Sequence, residues 1–333
     1  MEEEEANRLK TDQINQRHPH QYGGKINYKQ AVLSTLAFFD LFEYPLTKEE
    51  TIQYLFKIQP DLHHVELTLN ESNLIRHRGN YFQLAHDHDY IRIRHEREII
   101  SREYWKKIDK YRKLLAMTPY IQFVGVCNTL AYNNANENSD IDLFIVVKPG
   151  RLFLSRIILT FWMQIFGVRR HGNKIAGRFC LSFFTTSDNL NLESLRKGPL
   201  DIYLAYWVKT LKPIYGDPKI YHGLLEINEP WLKSMFAAPT QPQTDQLKPG
   251  SKKAERFKKW CEKMLDKRWG RKLEVKLGQW QLKRAREKRS ALGIDEQDTA
   301  IIIRRDILKF HNVDKREVIY TEWIKKLQSM LKH

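Results

Sequence analysis

Cysteine is scarce in this chain. Cys127, Cys180 and Cys261 are scattered over 333 residues. Their separation excludes the paired spacing of a zinc site, and a small odd number fits a reducing compartment rather than a disulfide scaffold. A basic leader is missing as well. The chain opens Met-Glu-Glu-Glu-Glu, the reverse of a signal-peptide start, so a cytoplasmic protein is expected. No apolar run reaches the ~20 residues that a bilayer requires. The nearest, residues 152–168, contains Arg156 and Gln164 and is followed by Arg169-Arg170-His171. It reads as a helix buried against a sheet, with Arg156 toward an exposed amino-terminal half, and no membrane span is expected.

What is present is the composition of a globular protein, 42% hydrophobic and 12% aromatic, long enough for two or three cores. The net charge of +16 is concentrated. Residues 247–289 hold seventeen Lys/Arg against five Asp/Glu, a surplus of twelve. RNA or another anionic partner is a candidate for that stretch. It also carries Trp260, Trp269 and Trp280, whose spacing fits a long amphipathic helix kinked at Gly270 or Gly278. The rings are expected in a helix–helix seam, with stacking on RNA as the alternative.

Along the chain, residues 1–25 read as a mobile tail. In residues 26–89 a first helix, 28–42, ends before Pro45. Thr47 and Glu50 form a capping box that opens a second helix through Phe56. A third follows Pro60-Asp61, and Gly79-Asn80 sits between two short apolar segments as a hairpin turn. Three helices and a hairpin make a winged-helix-like pattern. DNA reading is not expected of it, because the third helix carries Asp61, Glu66 and Glu71 with no Lys or Arg, the wrong sign for phosphates. A packing or partner-binding role is expected instead. Residues 90–118 form a connecting helix, 119–236 the core, 237–251 a Pro-rich linker, and 252–333 a helical basic region. There His311 beside Asp314 is a candidate acid–base pair.

The chemistry is centred on residues 121–147. A short apolar strand, 121–126, leads to Asn128-Thr129. A polar run ending at Ser139 follows, and then Asp140-Ile-Asp142 opens a fully apolar strand. On a strand, residues i and i+2 share a face, so Asp140 and Asp142 project together. Such a pair repels itself unless a cation intervenes, and Mg²⁺ is bound by one or two carboxylates plus substrate phosphates.

This order of strand, turn and Asp-x-Asp strand resembles the signature of the polymerase-beta-like nucleotidyltransferases. With the preceding winged-helix pattern and the Arg-Arg link, residues 28–231 look like a bacterial branch of that superfamily. The resemblance brings no acceptor. It implies an α+β protein with a nucleotidyltransferase α/β core and a nucleoside triphosphate, such as ATP, as substrate. Asp140 and Asp142 would be the catalytic acids and would hold Mg²⁺, with two ions possible. Asn128 and Thr129 stand where the family has Gly-Ser gripping the triphosphate, with Ser139, Lys174 and Arg178 as further contacts. The family's third carboxylate is missing from the next strand, residues 179–185, where Ser182 has an alternating position. Asp188, just beyond, is the candidate third metal ligand. The expected activity is Mg²⁺-dependent transfer of a nucleoside monophosphate from the triphosphate to an acceptor. The alternatives are a catalytically weakened nucleotide sensor or assembly module, and a nucleic-acid-binding regulator.

Overall fold

The structure, a computed structural model, describes residues 26–294, 299–310 and 314–330. The expected tail and His311 lie outside the described residues.

Local caps set the first elements. Asn27 and Gln30 form a reciprocal capping box that opens α1 (Tyr28–Asp40). Thr47 and Glu50 do the same for α2 (Lys48–Gln53), as the sequence indicates. The Asp61 side chain accepts from His64 N and caps α3 (Leu62–Glu71). A two-residue strand, β1 (Leu46–Thr47), joins the hairpin of β2 (Ile75–Arg78) and β3 (Tyr81–Leu84) in the order β1-β3-β2. Gly79 turns that hairpin at φ +59°. The strand β1 is too short to leave a periodic signal. The long helix α4 (Tyr90–Met117) follows. Its buried Arg94 binds Glu50 at 2.7 and 2.9 Å and Glu98 at 3.0 Å, which fixes α4 to the amino-terminal elements.

Beyond α4 lies a six-stranded sheet. Its members are β4 (Ile121–Val126), β5 (Ile141–Val147), β6 (Phe179–Thr186), β7 (Lys212–Gly216), β8 (Ile301–Ile303) and β9 (Ile307–Phe310), in the order β7-β4-β5-β6-β9-β8. β5 and β6 are parallel; every other neighbouring pair is antiparallel. Helix α5 (Leu152–Ile165) packs with α4 on one face, while α6 (Ile202–Thr210) and α7 (Pro218–Leu232) cover the other. Coverage on both sides explains why the middle strands read as continuous apolar runs.

The region from residue 252 departs from the expected helical appendage. It supplies β8 and β9 to the central sheet. Its last helix, α10 (Arg316–Met330), buries Trp323 against α1, with Nε1 donating to Ser34 O at 2.9 Å. Arg316 ties α10 to α6 through Asp201 at 2.8 Å. The expected kinked helix is two helices, α8 (Lys252–Leu265) and α9 (Arg268–Ala291). The break falls at Asp266-Lys267. Gly270 permits the tight approach that follows, since a Cβ there would sit 1.9 Å from Leu265 O. Gly278 lies inside α9 and accommodates the Phe153 ring. The three tryptophans are not in a seam. Trp260, Trp269 and Trp280 are 60%, 49% and 52% exposed, because other residues face the core: Ala254 of α8, and Glu274, Gly278 and Gln281 of α9.

One buried carboxylate locks α9 to the sheet layer. Glu274 accepts from the backbone N–H groups of Phe153 at 3.0 Å and Leu154 at 2.8 Å, in the first turn of α5. It satisfies donors that α5 cannot satisfy itself and places a negative charge at the positive end of the helix. Glu274→Ala should therefore lower stability by about 2–4 kcal/mol, and Glu274→Gln by less, since buried charge-assisted bonds are worth about 1.5–3 kcal/mol each. Urea unfolding midpoints check this. A change within about 0.5 kcal/mol for the alanine variant, the scale of an ordinary surface substitution, would contradict the role.

Candidate metal and nucleotide site

The carboxyl-terminal end of β4 and the amino-terminal end of β5 meet at one edge of the sheet. The chain leaves β4 through extended Cys127, whose N–H donates to Asp142 O at 3.1 Å. It turns at Asn128, φ +59°, into a short 3₁₀ helix (Asn128–Tyr132), and leaves that helix at Asn133, φ +60°. Asparagine tolerates this left-handed backbone better than most residues, so the turn forms without a glycine. The Asn128 side chain works in both directions. Its Nδ2 donates to Asp142 Oδ2 at 2.6 Å, and its Oδ1 accepts from Tyr203 OH of α6 at 3.2 Å.

Asp140 and Asp142 converge. One oxygen of each and the Cys180 Sγ all lie within 4.8 Å of one another. Cys180 is brought there by the parallel register, in which Asp142 is opposite Cys180. Arg170, in the loop before β6, binds Asp140 Oδ2 at 2.6 Å, and its Nη1 lies 3.8 Å from Cys180 Sγ. The electrostatics follow from crowding. Burial, and then the charge of Asp140, push the Asp142 carboxyl up to about 6, against the lowering effect of the Asn128 bond. Burial first, then Asp142 and Asp140, push the Cys180 thiol well above its usual range.

Two carboxylate oxygens at this separation fit a hard divalent cation such as Mg²⁺, with metal–oxygen distances of about 2.0–2.1 Å, whereas the Cys180 sulfur is a soft donor suited to a metal such as zinc. A cation there would relieve the repulsion that raises Asp142.

The other candidates divide. Thr129 is in the first turn after β4. Among the described residues its hydroxyl has no hydrogen bond, and its carbonyl accepts from Asn134 N at 2.8 Å. The Ser139 hydroxyl is engaged in its own loop, with Asn136 N at 3.0 Å and Asn136 Oδ1 at 3.1 Å. Lys174 is exposed in the turn that pairs its backbone with His171. Arg178 contributes its carbonyl to Ile141 N at 2.8 Å, and its charge bears on Lys107 of α4. Asp188 is a correction. It follows the far end of β6, eight residues beyond Cys180, and an extended strand carries it roughly 25 Å from the acid pair. Cys180 takes the third place, two residues before Ser182. Cys180, Arg170 and Tyr203 are the members of the site that the sequence reading missed.

A cavity of about 1150 Å³ adjoins this site on the β6 side, between α5, β6 and α9. Arg170 and Cys180 belong to its wall. Among the described residues β9 pairs with Phe183, Phe184 and Thr185, in the second half of β6, and the cavity lies beside Cys180, Leu181 and Ser182. Arg156 faces this cavity region instead of an exposed amino-terminal half: its Nη1 donates to Gln281 Oε1 of α9 at 2.8 Å. The outer side of α5 leaves Phe161 and Ile165 exposed, yet no helix among the described residues is long and apolar enough to cross a membrane.

Comparison of the chain with family models, with curated proteins and with solved structures returns no match.

The raised Asp142 has a consequence for stability. Its folded pKa lies above the unfolded value, so the ionised carboxylate opposes folding above pH 6 and ceases to do so as pH falls through the window between about 6 and 3.8. Asp142→Asn should therefore raise stability at pH 8 by about 1–2 kcal/mol, and the gain should shrink toward pH 4. Thermal unfolding of both proteins across that range tests it. A gain that persists undiminished at pH 4 would contradict the electrostatic cause.

Proposed function

We propose that this protein is a Mg²⁺-dependent nucleotidyltransferase that moves a nucleoside monophosphate from a nucleoside triphosphate, ATP being the natural probe, to an acceptor hydroxyl. The observation that carries this reading is the convergence of Asp140 and Asp142 directly beside the Asn128-Thr129 turn. Asp140 and Asp142 would hold the metal, with Cys180 beside them. Bound divalent ions supply charge neutralisation of the phosphates and activation of the hydroxyl. The chain's own part is positioning. Asn128 orients Asp142 and is itself held by Tyr203. Arg170, released from Asp140 when a cation takes its place, has the charge to bind a phosphate oxygen. The unbonded Thr129 hydroxyl is available to a second phosphate. Phosphoryl chemistry of this kind depends mainly on such placement and charge.

A second reading, a nucleotide sensor or assembly module, is favoured by two observations. The third donor is a thiol where the family has a carboxylate, and Arg170 and Asn128 already occupy an oxygen of each acid. The helix, strand and hairpin order of residues 26–89 supports a winged-helix-like module in either case. Its third helix still offers phosphates no cation, so a partner-binding or packing role suits it better than DNA reading.

Transfer of label from α-labelled nucleoside triphosphate, with Mg²⁺ and then Mn²⁺, separates the readings. The double variant Asp140→Asn, Asp142→Asn should lose at least about 10²-fold in rate, the scale of removing key transition-state stabilisation. Unchanged transfer in that variant would rule the mechanism out. Calorimetric binding of the triphosphate by the unaltered protein, without turnover in either metal, would establish the sensor instead.

A further inference from the structure

The cavity beside β6 has a wall of one sign. Arg156, Arg169, Arg170, Arg284, Lys288 and Lys315 line it, and among its described lining residues there is no carboxylate. Among the described residues only Arg170 of these cations has an acid partner, Asp140. Elsewhere in the chain, buried arginines are matched. Arg94 has Glu50 and Glu98, Arg151 has Asp266, and Arg316 has Asp201 and Asp314. Arg156 has the amide oxygen of Gln281 and the rings of Phe310 and Phe184, 5.0 and 6.0 Å from its guanidinium, but no carboxylate among the described residues, and its Nε is shielded from solvent with no hydrogen-bond partner. Burial and the nearby charge of Arg169 push the Arg156 guanidinium down to about 10. A largely shielded cation without a carboxylate partner is costly to keep, so this wall is suited to an anion supplied from outside.

Size and surroundings narrow the class of anion. About 1150 Å³ lies just above the roughly 300–1,000 Å³ of small-ligand pockets, so the lining decides more than the volume. Trp280 and Phe161 also line the cavity, 52% and 55% exposed, and Arg284 lies over the Trp280 ring at 5.6 Å. The cationic surface continues along α8 and α9, because most of its acids are turned inward. Glu255 accepts from Tyr215 OH, Glu262 from Tyr120 N, Asp266 from Arg151, and Glu274 caps α5. Of the five acids in residues 247–289, Asp266 is 46% exposed although bound to Arg151, and Glu287 stays on the outer side, 4.0 Å from Lys283. The outward face therefore carries Lys and Arg interleaved with exposed Trp260, Trp269 and Trp280. Phosphates spaced along a flexible chain, with bases free to stack on aromatic rings, complement that face.

We propose that a single-stranded polynucleotide binds along the outer face of α8 and α9 and enters the cavity, a backbone phosphate lying at Arg156 and Arg169 and a base stacking on Trp280. This binding does not depend on nucleotidyl transfer. If transfer also occurs, the shared wall at Arg170 and Cys180 makes the strand's end the acceptor.

Fluorescence anisotropy with labelled single-stranded RNA and DNA oligonucleotides of one sequence tests the proposal on the full chain. The unaltered protein should bind at least one of them, with affinity falling steeply as salt rises. Arg284→Glu with Lys288→Glu should weaken binding at least tenfold, and Trp280→Ala roughly fivefold or more. These side chains are exposed, so circular dichroism should show an unchanged fold. Asp140→Asn with Asp142→Asn should leave binding intact, which separates failure of transfer from failure of this site. No binding at low salt, a flat salt response, or variants of Arg284, Lys288 and Trp280 that bind like the unaltered protein would overturn the proposal. Binding of inorganic tripolyphosphate without either oligonucleotide would also overturn it, in favour of a small polyphosphate ligand.

Discussion

Two carboxylates share a space that neither would occupy alone. Asp140 and Asp142 point to the same side of β5, and the parallel partner β6 sets Cys180 against them. Burial, and then the charge of Asp140, raise the Asp142 carboxyl, and Asn128 and Arg170 offset this only in part. The central strands supply the rigidity that holds this unfavourable pair together. β5 is buried on both faces apart from Asp142, and its neighbours pair along nearly its whole length. A local cost maintained by a stiff scaffold is the usual sign of a site that awaits a ligand.

The scaffold is closed from both ends of the chain. Arg94 draws α4 onto the amino-terminal module through Glu50, and Trp323 of α10 is buried against α1. Strands β8 and β9 return from the carboxyl-terminal region to extend the sheet past β6. Among the described residues β9 joins β6 at Phe183, Phe184 and Thr185, and the cationic cavity lies beside the other half of that strand. The inward acids of α8 and α9 belong to the same construction. Each fastens a basic helix to the core and, by doing so, leaves its outer surface unbalanced in charge.

What could be read from the sequence was what depends on near neighbours. Thr47 with Glu50, Gly79 at the hairpin and the Asp-x-Asp alternation are set by contacts within a few residues, and each has its place in the fold. Asn128 is a similar case: its capacity for left-handed backbone is intrinsic, and the structure uses it. Features set by distant pairing were not legible. Strand β7 was hidden by Pro213, tolerated because β7 is at the sheet edge. The membership of β8 and β9 in the central sheet required knowledge of where the chain returns. Cys180 lies two residues from Ser182 on a strand the sequence shows, but its place beside the acids depends on the parallel register of β5 and β6, which no local pattern carries. The exposure of the three tryptophans was misread because a ring stripe on a helix suggests a seam, whereas Gly270 and Gly278 make the close contacts here.

The central claim is that the Asp140–Asp142 pair holds a divalent cation together with a triphosphate. Its most direct test is electron paramagnetic resonance of Mn²⁺ titrated with the protein and a non-hydrolysable nucleoside triphosphate. The expected result is loss of the free-ion signal in the ternary mixture beyond what the nucleotide alone produces, restored by Asp140→Asn with Asp142→Asn. A signal indistinguishable from that of Mn²⁺ and nucleotide without protein would contradict the claim.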